Sequence, residues 1–71
     1  MGSLVLRWTL WESETGEPLQ LSLMILDSSW EPLAEFTKPC GPFHSAEDQR
    51  HVLLDDMRRY LRTTGIQLEL A

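Results

Sequence analysis

Two stretches of strict two-residue alternation, separated by a glycine turn, constrain the fold of this chain more than any other feature of its sequence. In residues 4–12 an unbroken apolar row falls on even numbers, and therefore on one side of an extended chain: Leu4, Leu6, Trp8 and Leu10. Residues 19–27 repeat the pattern on odd numbers: Leu19, Leu21, Leu23 and Ile25. The segment between them is polar, and its Gly16 favours a turn. The two stretches predict an antiparallel hairpin.

The parity of the two stretches also predicts the register of the hairpin. Residues that lie directly opposite each other in an antiparallel pair share a face, so even numbers in the first strand must oppose odd numbers in the second. With a tight turn at residues 15–16, this requirement gives three apolar pairs: Leu10–Leu21, Trp8–Leu23 and Leu6–Ile25. A slip of one residue would turn one apolar row towards water.

Three further segments complete the predicted secondary structure. Residues 33–37 follow a turn at 28–32 and predict a short third strand, whereas two prolines and a glycine exclude regular structure at 38–42. A helix is expected over about residues 46–63, because Ser45 and Asp48 have capping-box spacing. Its apolar stripe follows at intervals of three and four: Leu53, Leu54, Met57, Tyr60 and Leu61. Gly65 is a typical helix stop, and residues 66–70 alternate as a last strand.

Together these segments predict one α+β domain spanning residues 1–71. The first three strands form a meander, and a right-handed crossover through the helix brings the last strand parallel to the first. The expected sheet therefore has three or four strands (β-β-β-α-β, order 3-2-1-4), with one amphipathic helix packed on its leucine-rich face.

Charge and cysteine content narrow the classes of partner and the cell compartment. The net charge of −5 has the wrong sign for a nucleic-acid or anionic-membrane binder, and no apolar run approaches the roughly 20 residues of a membrane-spanning helix. The only cysteine is Cys40, which fits a reducing compartment. We therefore expect a cytoplasmic protein with no membrane partner, and nucleic acid is disfavoured as a ligand.

The residues that could support catalysis or bind a metal do not form a chemical pattern. The spacing of Cys40, His44 and His51 matches no common zinc site, which needs four ligands, and a Cys–His nucleophile pair would lack an orienting third group. The candidate acids for acid–base chemistry lie at turns and strand ends, where carboxylates are solvated: Asp27, Glu31 and Glu35. We therefore expect no enzymatic activity, no cofactor and no metal.

Three arginines near the end of the predicted helix allow two interpretations. Arg58, Arg59 and Arg62 lie three and four residues apart, and could form an anion-binding site for a phosphate or an acidic partner. We favour the simpler interpretation, in which they complement the helix dipole and form ion pairs with Asp55 and Asp56.

The second face of the predicted sheet has no helix to cover it, although it carries four apolar residues: Val5, Trp11, Met24 and Leu26. Exposed tryptophan and methionine on an open sheet face are typical of a protein interface. The sequence therefore predicts a small non-enzymatic protein-interaction module, such as a bacterial or phage accessory protein. It would act as a homodimer or bound to a larger protein partner, with these four residues as the partner-binding surface.

Two alternative functions stay open. The first is an acidic inhibitor or nucleic-acid mimic that targets a nucleic-acid-binding enzyme, and it rests on the acids of the predicted strands and turns: Glu12, Glu14, Glu17, Glu31 and Glu35. Binding to such a basic partner would weaken steeply with salt. The second is a DNA-binding or antitoxin-like domain that uses the three arginines.

The second alternative draws on two architectural resemblances. The order of three strands, a helix and a strand resembles the partial RNase H fold of small HicB-type antitoxins, and the stretches Pro39-Cys40-Gly41 and Ser45-Ala46-Glu47-Asp48 are similar to the loop and helix start there. Three strands followed by a helix are also similar to the Apetala-type DNA-binding domain. The strands of that family present basic side chains to DNA, whereas this sheet is acidic. Neither resemblance carries site residues over to this chain.

Overall fold

A computed structural model describes residues 3–65 of the chain. Its elements are β1 (Val5–Glu12), β2 (Pro18–Leu26), β3 (Pro32–Pro39) and α1 (Ala46–Thr64). The three strands form one antiparallel sheet in the order β1-β2-β3, with α1 packed on one face. The predicted α+β class and meander are therefore confirmed. The strand expected at residues 66–70 lies outside the described residues, so its place beside β1 stays a prediction.

The predicted register of the first hairpin is confirmed. Leu10 pairs with Leu21, Trp8 with Leu23 and Leu6 with Ile25, with an irregularity only between Trp11 and Glu12. The turn closes through hydrogen bonds from the Gly16 N–H to the Ser13 carbonyl and from the Ser13 N–H to the Glu17 carbonyl. Gly16 has φ of 84°, a conformation that glycine adopts without the penalty of other residues.

The third strand is real and longer than the sequence indicated. Residues 33–37 predicted a short strand, whereas β3 runs from Pro32 to Pro39 and places Phe36 opposite Leu23. The exclusion of regular structure at residues 38–42 is therefore wrong for Lys38 and Pro39, which pair with β2. A proline at each end of this strand is tolerated because β3 lies at the edge of the three described strands, where not every N–H has a ladder partner.

Both ends of the helix carry the predicted caps. The Ser45 hydroxyl accepts a hydrogen bond from the Asp48 N–H at 3.1 Å, and Gly65 ends the helix in a left-handed conformation with φ of 75°. The Gln49 amide donates to the Pro39 carbonyl at 2.6 Å, and this contact attaches the start of α1 to the end of β3. The Tyr60 hydroxyl donates to the carbonyl of Leu33 at 3.5 Å near the other end of β3. The helix therefore runs antiparallel to β3.

The core lies between α1 and the middle of the sheet. Its buried members come from β2 and from one stripe of the helix: Leu21, Leu23, Ile25, Leu53, Met57 and Leu61. The helix packs against β2 and β3. On β1 the residues of the same face are less well covered, because Leu6 and Trp8 are half-buried and Leu10 is 42% exposed. The helix is thus offset away from β1.

Candidate functional site

The sheet face opposite α1, which we call the open face, is the surface that the sequence singled out. Strand pairing assigns to it four rows of β1 and β2, which are Val5–Leu26, Arg7–Met24, Thr9–Ser22 and Trp11–Gln20, together with Glu35, Thr37 and Pro39 of β3. They form rows across the strands, and each row is two residues from the next along a strand. The four apolar residues predicted to bind a partner all lie on this face. Trp11 belongs to the row at one end, Val5 and Leu26 to the row at the other end, and Met24 to the row next to them.

The four apolar residues are not equally accessible. Trp11, beside Gln20, has 45% of its surface exposed, whereas Leu26 at the other end of the open face has only 4%. Val5 and Met24 are half-buried. Trp11 is therefore the part of the predicted surface that offers most contact area, and Leu26 acts mainly in packing.

A row of hydroxyl side chains crosses the open face between its two apolar ends. Ser22 in the centre is 2% exposed, pairs with Thr9 on one side and with Thr37 on the other, and has its Oγ 2.7 Å from the Thr37 Oγ1. The Ser22 hydroxyl also donates to the Phe36 carbonyl at 3.3 Å. Because the buried Ser22 hydroxyl is bonded to both Thr37 and Phe36, the row is a polar divider across the face. The open face is therefore amphipathic, and not one continuous apolar patch.

The turn between β2 and β3 presents a second exposed tryptophan, whose geometry sequence reasoning did not foresee. Trp30 is 67% exposed and has φ of 64°, in the left-handed region that glycine or asparagine usually occupies. The turn is held by Asp27, whose carboxylate accepts hydrogen bonds from the N–H groups of Ser29 at 2.8 Å and Glu31 at 3.0 Å. The Trp30 N–H donates to the Asp27 carbonyl at 2.9 Å. A bulky residue thus occupies a strained and exposed position.

The arginine cluster is largely engaged in ion pairs. Arg58 lies 3.3 Å from the Asp55 carboxylate and Arg59 lies 3.9 Å from that of Asp56, and Arg62 lies in the last turn of α1. The predicted ion pairs are therefore present for two of the three guanidinium groups, while an anion-binding role stays a prediction. An anion at this position would have to compete with carboxylates that are already in place.

The other chemical candidates do not converge on one point. Across residues 3–65 no three His, Cys, Asp or Glu side chains are close enough to hold a metal ion. The Asp27 carboxylate is engaged in its turn, and the backbones of Gly41 and His44 bond to each other in the loop before α1. Within the same described range no helix has both the length and the apolar character to cross a membrane.

Acidic side chains are concentrated at the end of the sheet that carries the β1–β2 turn, which we call the hairpin end. The start of α1 also lies there, because Gln49 bonds to Pro39 and Pro39 pairs with Gln20. Five carboxylates belong to this end: Glu12, Glu14, Glu17, Glu47 and Asp48. Among the described residues, the ion pairs involve only the carboxylates of Asp55 and Asp56, so these five are unneutralised.

Comparison with known proteins gives no relative. No family model matches the sequence, and neither the curated proteins nor the solved structures include a significant match. The function must therefore be argued from the surfaces described above.

Proposed function

We propose that this chain is a small non-enzymatic module that binds a larger protein partner through the Trp11 end of its open face. The observation that carries the proposal is the 45% exposure of Trp11 on a sheet face that α1 does not cover. Tryptophan is enriched among the residues that dominate binding energy at protein interfaces. An exposed indole beside polar neighbours therefore suits a contact that forms and dissociates.

The chemistry around Trp11 indicates the kind of surface it would meet. Gln20 lies opposite it and Thr9 lies one row further along, and both are exposed. An apolar anchor surrounded by side chains that can hydrogen-bond is the usual arrangement of a non-obligate interface. The expected partner surface is an apolar pocket with a polar rim.

Three variants test this proposal by capture of binding proteins from host extract. Trp11→Ala and Met24→Glu alter the open face, and Val52→Ala removes the same kind of exposed apolar surface from α1 as a matched control. We expect a protein that is retained by the wild type and by Val52→Ala but lost with Trp11→Ala. Circular dichroism shows whether each variant is folded. If a folded Trp11→Ala retains every protein that the wild type retains, the open face is not the binding surface.

A second candidate function rests on the hairpin end. Its five carboxylates lack ion-pair partners within residues 3–65, and a concentrated negative charge is the feature that a mimic of nucleic acid would need. The module would then inhibit a nucleic-acid-binding enzyme through the positive surface of that enzyme.

Salt dependence distinguishes the two candidates once a binding protein has been captured. Contact through the hairpin end requires an affinity that falls steeply as salt is added, because exposed charges are screened. The double variant Glu14→Gln/Glu17→Gln should reduce that slope and weaken binding at low salt. Affinity that is insensitive to salt and to this double variant would exclude the hairpin end and leave Trp11 as the anchor.

A further inference from the structure

We propose that the outer edge of β1, beside which none of the described strands lies, pairs antiparallel with the β1 edge of a second copy of this chain. Two three-stranded sheets would then form one sheet of six strands, with both helices on the same face. The proposal adds a second surface to the one in the proposed function, and either surface can exist without the other. It rests on the chemistry of the two sheet edges, on the position of α1 and on the distribution of charge.

The two edges of the described sheet differ in how they are protected against pairing. Soluble proteins protect an edge strand with proline, lysine or other charged residues. The β3 edge has all of these features: Pro32, Glu35, Lys38 and Pro39. The β1 edge has eight residues, no proline and no lysine, and only Arg7 and the terminal Glu12 are charged. Of the two edges, β1 is the one suited to accept another strand.

The backbone groups of this edge belong to the residues of the helix-covered face. The Cys40 N–H donates to the Leu19 carbonyl at 2.9 Å, so odd-numbered residues of β2 direct their backbone groups towards β3. Even-numbered residues of β2 therefore bond to β1, where their partners, such as Thr9 for Ser22, are odd-numbered. The outward-pointing N–H and C=O groups of β1 are consequently those of Leu6, Trp8 and Leu10.

The offset of α1 leaves a groove above this edge. The groove has a volume of about 500 Å³ and is lined by Trp8, Leu21, Ala46, Glu47 and Arg50. The Arg50 guanidinium lies 5.5 Å from the centre of the Trp8 ring. Beside the groove, Leu10 leaves 42% of its surface in water although it lies on the covered face. A strand added at the β1 edge would bring its own side chains against these groups.

The β1 strand of a second copy would place its own even-numbered apolar side chains on the covered face, beside this groove. When Trp8 lies opposite the partner's Trp8, Leu6 lies opposite the partner's Leu10, and the two apolar rows join on the covered face. In the same register Arg7 lies opposite the partner's Thr9, so the like charges of the two Arg7 side chains do not face each other directly. The strand is therefore complementary to itself in this antiparallel register.

The distribution of charge also favours an antiparallel second copy. The hairpin end of one chain would lie beside the opposite end of its partner, where α1 finishes. The first end carries Glu47 and the other carboxylates named above. The second carries Arg62 in the last turn of α1, Arg58 in its ion pair with Asp55, and the acids Asp27 and Glu31 of the β2–β3 turn. An antiparallel pair therefore keeps the two hairpin ends apart, whereas a parallel arrangement would place the five unneutralised carboxylates of both chains together.

Sedimentation of the full chain tests the proposal, with an edge variant and a matched control. We expect the wild type to form a species of twice 8.2 kDa as its concentration rises. Leu10→Pro removes an outward N–H that β2 does not use, and Glu35→Pro makes the same change at the β3 edge. The dimer dissociation constant should rise about thirtyfold for Leu10→Pro, as expected for the loss of two backbone hydrogen bonds. Glu35→Pro should leave it unchanged.

Amide exchange of the wild type distinguishes this occupant from residues 66–70, the segment that the sequence predicts beside β1. Protection of the Trp8 and Leu10 N–H groups that disappears on dilution supports the second copy. Protection in a chain that stays monomeric at every concentration would assign the edge to residues 66–70 and overturn the proposal. An unprotected edge, or a dimer that Leu10→Pro leaves intact, would overturn it as well. Loss of the partner contact in Trp11→Ala with an unchanged dimer would show that the two surfaces are independent.

Discussion

Replacement of Trp30 tests whether its left-handed backbone conformation is strained. The φ of 64° costs an L-residue about 1–2 kcal/mol relative to its preferred conformations, whereas glycine adopts it freely. A comparison of Trp30→Gly with Trp30→Ala isolates this backbone effect, because both variants lose the whole indole. At most positions in a folded element alanine is the more stable of the two residues. At position 30 we expect glycine to be the more stable.

The expected magnitude follows from two opposing terms. Release of the left-handed strain favours glycine by about 1–2 kcal/mol. The greater freedom of glycine in the unfolded chain destabilises the glycine variant by about 0.5–1 kcal/mol and offsets part of that gain. Trp30→Gly should therefore exceed Trp30→Ala in free energy of unfolding by roughly 0.5–1 kcal/mol. In a domain of this size the difference corresponds to a Tm higher by about 2–8 °C.

Urea unfolding followed by circular dichroism measures this difference, and position 52 provides the control. Val52 is exposed in the middle of α1, where alanine is favoured over glycine by about 1 kcal/mol. The order of stability of the two substitutions should therefore reverse between positions 52 and 30. If alanine is at least as stable as glycine at position 30, the turn is not strained and the argument from its φ fails.

The remaining predictions concern the helix cap, the core and the ion pairs. Ser45→Ala removes the acceptor of the Asp48 N–H and should lower the free energy of unfolding by about 1 kcal/mol, as measured by urea unfolding. Ser45→Asp keeps an acceptor at the cap and should retain most of this stabilisation. Leu23→Ala empties a fully buried position between β2 and α1 and should cost about 2–5 kcal/mol; a loss under 1 kcal/mol in thermal unfolding would contradict the assigned core. Arg58→Ala breaks one exposed ion pair and should change stability by less than about 0.5 kcal/mol, and a larger effect would mean that Arg58 has an additional partner.

The sequence predicted the hairpin in detail because its parity leaves few alternatives. Leu6, Trp8 and Leu10 can share a face with the leucines of β2 only in registers that oppose even numbers to odd numbers, and the turn at Gly16 selects one of these. The helix was equally well marked, since the cap at Ser45 and the stop at Gly65 are local signals. The extent of β3 was underestimated because prolines at both ends resemble loop signals, although an edge strand tolerates them.

The candidate surface was predicted only in part, for a physical reason. Alternation tells which face a side chain takes, and it placed Trp11 and Leu26 correctly on the open face. It does not tell how far neighbouring groups cover each residue, so the burial of Leu26 and the hydroxyl row at Ser22 were not foreseen. The offset of α1 from β1 depends on how side chains of different size fit between helix and sheet. The backbone conformation of Trp30 depends on the turn that Asp27 closes. Periodicity carries no information on the offset of the helix or on the conformation of this turn.

The central place of β2 has a consequence for the order in which the fold comes apart. The buried residues that the sheet contributes to the core are Leu21, Leu23 and Ile25, all from this strand, and α1 packs on it and on β3. Separation of β1 would therefore leave the contacts of α1 with β2 and β3 in place, and we expect it to be the first step of sub-global opening. That step would uncover the other edge of β2, a strand rich in leucine, to neighbouring molecules. Whatever holds β1 in place would therefore also protect the chain against aggregation.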